Sequence, residues 1–197
     1  VDLPGTMRFI ARSVRGELEL TRGNVRTAAL IQRVSLRYAG NWRSILGSGS
    51  QWELYILSMC LVTDVELSPD DAVELDARAV RARATSLLRE ILSDPAPLQR
   101  DIPTLMAFAA AVGLSAVAAE DAGSDWRAVG GELVATALAV GTNQTCRLLS
   151  HDYLRSRTER LDARALAQAE ERIRSLDRGG LVAHAADLAG RLAGEVG

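Results

Sequence analysis

The chain has 197 residues, 48% hydrophobic and 24% charged. This is ordinary globular usage for one domain or two small ones, and it excludes a disordered, collagen-like or disulfide-scaffold chain. Net charge is only −2, but residues 1–50 carry +5, residues 51–145 carry −8 and residues 146–197 carry +1.

All 23 cationic residues are Arg. A Schiff-base lysine and the lysine of a phosphate-binding loop are therefore excluded, and Arg stays protonated and cannot act as a base. No run of about 18 apolar residues is present, so no helical membrane span is expected. Cys60 and Cys146 both sit in apolar stretches, as small buried hydrophobes do. A reducing, cytoplasmic setting is the default for such thiols. The N-terminus lacks an apolar signal core. Met7 as a native start after a six-residue remnant, and an excised domain, both remain open.

Ala and Leu dominate and aromatics are 4%, which favours helix over strand. The expected fold is all-α, a multi-helix bundle of about seven to eight helices. A first helix spans residues 7–21. Gly23 punctuates, and Asn24 opens a second helix that runs to about Ala39 and stops at Gly40-Asn41. Trp42–Leu46 adds a turn. Gly47-Ser48-Gly49-Ser50 reads as a linker and coincides with the change in charge sign. It suggests a basic N-terminal segment, 1–46, ahead of a bundle core, 51–197, or one continuous domain over 7–197.

Gln51–Thr63 is apolar on most sides and so is expected at the centre. Ser68, Pro69, Asp70, Asp71 and Glu74 form a strong start signal for a long helix reaching Leu92. Asp94-Pro95-Ala96-Pro97 breaks it. Pro103 starts an Ala-rich helix to about Ala119. Ser124 caps the next, which ends at Gly141. Thr142 or Asn143 opens a seventh helix, unless the two are continuous. The charged, periodic stretch Arg155–Asp177 ends at Gly179-Gly180. Leu181–Val196 is the last amphipathic helix.

Arg8, Arg12, Arg15 and Arg22 share one helical face, and Arg26, Arg33 and Arg37 share another. Guanidinium rows suit phosphate or carboxylate recognition, with Tyr38 and Trp42 as nearby stacking surfaces. Pairing with the acidic middle of the same chain, or of a second copy, is the competing reading. A whole-chain balance of −2 argues against nucleic acid. Gly23-Asn24 and Ala28-Ala29 faintly resemble the start of a Fis-type helix-turn-helix. The likeness fails at Gln32 and Arg33, where that motif needs Leu and Gly.

Asp64, Glu66, Asp70 and Asp71 cluster as a Ca²⁺ or Mg²⁺ site requires, but Leu67, Ser68 and Pro69 break the EF-hand pattern. This helix–acidic loop–helix layout resembles tellurite-resistance TerB-like domains. It lacks their Asp-Gly, and helix capping accounts for Asp70 and Asp71.

Asn143, Arg147, His151 and Arg155 recur every four residues and would line one face. A neutral His beside Arg can serve as a general base. Arg147–His151 and Arg178–His184 do not reproduce the Arg–His spacing of HEPN-type helical ribonucleases on one unbroken helix. With His151 and His184 alone and no CxxC, HxxxH or ExxH, neither metal nor cofactor is indicated. No nucleophile-elbow, dinucleotide or P-loop motif occurs.

These readings favour a non-enzymatic interaction or regulatory module that binds a protein partner or a second copy of itself through charge-segregated faces. The alternatives are nucleic-acid binding through the Arg8–Arg37 stripe, and a small-molecule sensor or helical enzyme. The last would have a pocket near Trp52, Phe108, Trp126, Asn143, Arg147 and His151.

Overall fold

A computed structural model describes residues 5–46, 51–93, 101–119, 123–142 and 146–194, with side chains of the N-terminal part described over 11–38 and from 53 onward. The linker reading at 47–50, the break at 94–97 and Asn143 lie outside the described residues. Among them the fold is all-α. The helices are α1 (Gly5–Thr21), α2 (Val25–Leu46), α3 (Gln51–Asp64), α4 (Pro69–Glu74), α5 (Ala77–Leu92), α6 (Ile102–Val117), α7 (Ser124–Val140), α8 (His151–Ile173) and α9 (Arg178–Gly194), with a 3-10 turn at Arg147–Leu149. No described helix is long and apolar enough to cross a membrane.

The core is built around α6, which is buried along nearly its whole length. It packs against α3, α5, α7 and α8. An Ala-rich helix can take this central place because small side chains let neighbours approach from every side. On one flank α2 joins α1 to α3; on the other α9 packs on α5 and α7. Leu54, Ile56, Leu57, Met59, Leu61 and Val62 of α3 are buried, as expected of a helix apolar on most sides.

Several boundaries differ from the sequence reading. The second helix does not stop at Gly40-Asn41 but continues to Leu46; an isolated Gly within a helix costs only about 1 kcal/mol relative to Ala. The expected long helix 69–92 is two helices. Asp76 adopts the left-handed conformation (φ 52°) and its carboxylate caps α5 by accepting from Ala79 N. Asp is one of the few non-Gly residues that tolerates this backbone. Ser68 does cap α4, accepting from Asp71 N at 3.3 Å.

Gly123, not Ser124, occupies the cap position of α7. Gly141 (φ 110°) ends α7, so α7 and α8 are separate. Helix α8 opens at His151, where Ser150 accepts from Tyr153 N, rather than at Thr142 or Asn143. Within α8 the backbone of Asp162 is extended, and its carboxylate recaps the helix through Ala165 N. Gly179-Gly180 neither ends α8 nor interrupts a helix; it lies in the first turn of α9, so Arg178 and His184 share one unbroken helix, and Asp177 accepts from Gly180 N.

Candidate functional site

The α1–α2 hairpin carries every arginine of the predicted stripe. Gly23 (φ 82°) makes the turn between the two helices. Asn24 precedes α2, and its side-chain amide donates to Glu19 Oε2 at 2.7 Å. The inner faces of the hairpin bury Ser13, Ala28, Ala29, Gln32, Ser35 and Leu36. Gln32 Nε2 donates to the Ser13 carbonyl at 3.2 Å and ties α2 to α1. Gly16 leaves room for this side chain, because a Cβ there would fall 2.4 Å from Gln32 Nε2.

The arginines do not form one continuous basic face. Arg33 is withdrawn from the surface: its Nη2 meets Asp64 Oδ2 at 2.8 Å and its Nε donates to the Leu75 carbonyl at 3.1 Å. Arg26 bridges to Asp71 and Glu74, with Nη2 2.7 Å from Glu74 Oε1. The Asp71 carboxyl is held below its usual range by the Ser68 hydroxyl and then by Arg26, and that of Glu74 by Arg26. Arg22, in the turn after α1, pairs with Glu19 of α1 at 3.2 Å. Arg12 stacks over the Tyr38 ring, 4.6 Å from its centre. Arg15 and Arg37 are exposed. The side chain of Arg8 lies outside the described residues.

The +5 segment and the acidic middle segment therefore meet within one chain, at Arg26 and Arg33. Alongside Arg15 and Arg37, the hairpin leaves several large apolar side chains outside. Leu30, Val34 and Tyr38 are 45%, 38% and 46% exposed, and at i, i+4 and i+8 they line one face of α2. Val14 and Leu18 of α1 are likewise exposed. Isolated exposed apolar residues are normal on a protein surface; these share one helical face. The sequence reading used Tyr38 only as a stacking surface. Its i−4 and i−8 neighbours were the available signal.

Much of the acidic loop is engaged in ion pairs and caps, although Asp64 Oδ1 is buried without a hydrogen-bond partner. Glu66 pairs with Arg157 of α8, Asp64 with Arg33 and Asp71 with Arg26. Among the described residues no group of three or more His, Cys, Asp or Glu is arranged to hold a metal ion. Burial pushes the Asp64 carboxyl up to about 6, against the opposing pull of Arg33.

The expected face Asn143–Arg155 is not one helical face. Arg147 lies in the 3-10 turn and is exposed, and the cap at Ser150 resets the periodicity before His151. Only His151 and Arg155 share α8. His151 sits at its first residue with Asp152 3.7 Å away, and Arg155 is held by Glu159 and Glu170. The aromatic candidates do not converge on a pocket either. Phe108 is wholly buried in α6. Trp126 is buried, donates from Nε1 to the Leu192 carbonyl at 3.3 Å and carries Arg81 over its ring. Both act as core anchors; the Trp52 side chain lies outside the described residues.

One histidine site escaped the sequence reading. Glu132 of α7 accepts from Arg172 of α8 at 2.7 and 2.9 Å and lies 2.8 Å from His184 Nε2 of α9. It clasps three helices that are distant in sequence, so no local spacing announced it. Burial works against ionisation of Glu132, but the hydrogen bonds from Arg172 and His184 hold its carboxyl below the usual range. Cys60 and Cys146 are buried and form no disulfide; burial pushes their thiols up to about 12 and about 11. Compared with protein-family models, curated proteins and solved structures, the chain finds no match.

Proposed function

We propose that the chain is a non-enzymatic interaction module that self-associates through the outer face of α2. The observation that carries this reading is the exposed stripe Leu30, Val34 and Tyr38. An antiparallel pair of α2 helices centred on Val34 sets Leu30 of one copy against Tyr38 of the other, so the stripe is complementary to itself. Apolar burial supplies the driving force.

Charge fixes the direction. Arg26 and Arg37 are eleven residues apart, three turns plus about 20°, so they flank the stripe on the same side at opposite ends. The Arg26 end carries Asp71 and Glu74. Antiparallel packing brings Arg37 of one copy toward Glu74 of the other, and parallel packing does not. Opposed charges at an interface set register and orientation more than affinity.

A polyanion partner is less well supported. Arg26 and Arg33 already face carboxylates of the same chain, and an apolar stripe at the centre of the face offers nothing to a phosphate backbone.

A charge swap followed by sedimentation tests the reading. Arg37→Glu and Glu74→Arg each weaken the dimer, and the double variant restores it. Two weakened single variants without restoration would contradict the antiparallel contact.

A further inference from the structure

A second feature lies away from the α2 stripe. The C-terminal end of α3, helix α4, the first turns of α5, the C-terminal end of α6 and Leu161 of α8 border a cleft of about 630 Å³, a size typical of small-molecule sites. Its walls are mostly apolar: Leu61, Val65, Ala72, Val73, Ala118 and Leu161. Val73 and Leu161 are 83% and 46% exposed, so they offer apolar surface that a ligand would cover. Helix α4, which forms one wall, buries none of its own residues.

Asp64 also lines this cleft. Its side chain is only 7% exposed, and Oδ2 is taken by Arg33. Oδ1 is buried and has no hydrogen-bond partner, and Nη1 of Arg33 is likewise buried without one. A buried acceptor left unsatisfied is costly, and native structures contain few of them. We propose that the cleft binds a small, mostly apolar organic molecule that presents one N–H or O–H donor to Asp64 Oδ1.

The surroundings select a neutral donor. The carboxylate is already balanced by Arg33 of α2 and faces Arg81 of α5, and Arg78 and Asp76, of opposite charge, also line the cleft. A second cation would meet these guanidinium groups. An anion would meet the Asp64 carboxylate, and a fully deprotonated one has no proton to offer Oδ1. Phenols, indoles and lactams meet the requirement.

Indole and 1-methylindole have nearly the same apolar body and differ in the N–H, so the pair is the probe. The readout is amide shifts of the ¹⁵N-labelled full chain at pH 8, where the Asp64 carboxyl is ionised. Indole is expected to shift the amides of Val65, Ala72 and Ala118, and 1-methylindole to bind roughly tenfold or more weakly. Ala118→Trp, which places a bulky side chain in the cleft and leaves Arg33 and Asp64 themselves unaltered, is expected to abolish both. Asp64→Asn is expected to narrow the difference between the two probes. Absence of shifts up to the solubility limit, shifts confined to another surface, equal binding of the two indoles, or binding that survives Ala118→Trp would each overturn the proposal.

Discussion

Gly113 of α6 and Gly130 of α7 bring two helix backbones into direct contact. A Cβ on Gly113 would fall 2.6 Å from the Gly130 carbonyl oxygen, and a Cβ on Gly130 would fall 2.7 Å from the Gly113 carbonyl oxygen. Neither neighbour is a side chain that can turn aside. Gly113→Ala and Gly130→Ala are therefore expected to force the helices apart and to destabilise by about 1–3 kcal/mol. That is a fall in Tm of about 2–4 °C per kcal/mol for a chain of this size. Gly131 is the internal control, since the nearest atom to its added Cβ is Ala165 Cβ at 3.7 Å. Gly131→Ala is expected to be neutral or stabilising by up to about 1 kcal/mol from helix propensity. Thermal melts of the three variants check this, and equal losses at all three positions would refute the backbone contact.

Asp64 makes stability depend on pH in a particular direction. Burial raises its folded value from 3.8 to about 6. Its contribution to stability is thus fully present below about pH 4, and it is lost as pH rises toward and through 6. The loss is on the order of 3 kcal/mol. Asp64→Asn removes this titration. Its unfolding free energy minus that of the wild type is expected to increase from pH 4 to pH 7, whatever the constant offset from altering the partner of Arg33. Urea denaturation at four or five pH values reads the trend. A difference that stays flat, or that decreases, contradicts the assignment.

The Glu132 clasp behaves in the opposite sense. Its folded value is lowered by Arg172 and His184. The stability it adds is present above the ordinary Glu range and is lost as pH falls through the folded value. Glu132→Gln is expected to cost about 1 kcal/mol at pH 7, and the cost is expected to shrink toward pH 3. Urea midpoints of the two proteins at pH 7 and pH 3 settle it. An undiminished cost at pH 3 would mean that shape, and not charge, holds the three helices.

The helices were legible because their evidence is local. Ser68, Pro69, Asp70 and Asp71 announce a helix start, and the Ala-rich run from Leu105 to Val117 announces a helix, though not its central, buried place. The break at Leu75-Asp76 was not legible, because Asp in the left-handed conformation carries no sequence mark of its own. Nor was the continuation of α2 past Gly40, since Gly both ends helices and is tolerated within them.

The arginine stripe was visible as a pattern. Which of its members meet carboxylates depends on how α2 lies against Asp64, Asp71 and Glu74, and those contacts span more than thirty residues of sequence. Asp64 itself was singled out as one of an acidic cluster. Its burial beside Arg33, and the cleft around it, arise only from packing.

The central claim is that α2 meets a second copy of itself. Size exclusion coupled to light scattering, at low and high salt, with absorbance at 260 and 280 nm recorded on protein purified without nuclease, tests it most directly. The wild-type chain is expected to run at twice its 21.1 kDa mass with a clean protein spectrum. The dimer should persist in salt, because apolar burial is not screened. Val34→Glu, a change at an exposed position, should return it to 21.1 kDa. A wild-type monomer at every concentration, a Val34→Glu dimer, or a strong 260 nm signal that salt removes would contradict the account, and the last would instead favour nucleic acid on the hairpin.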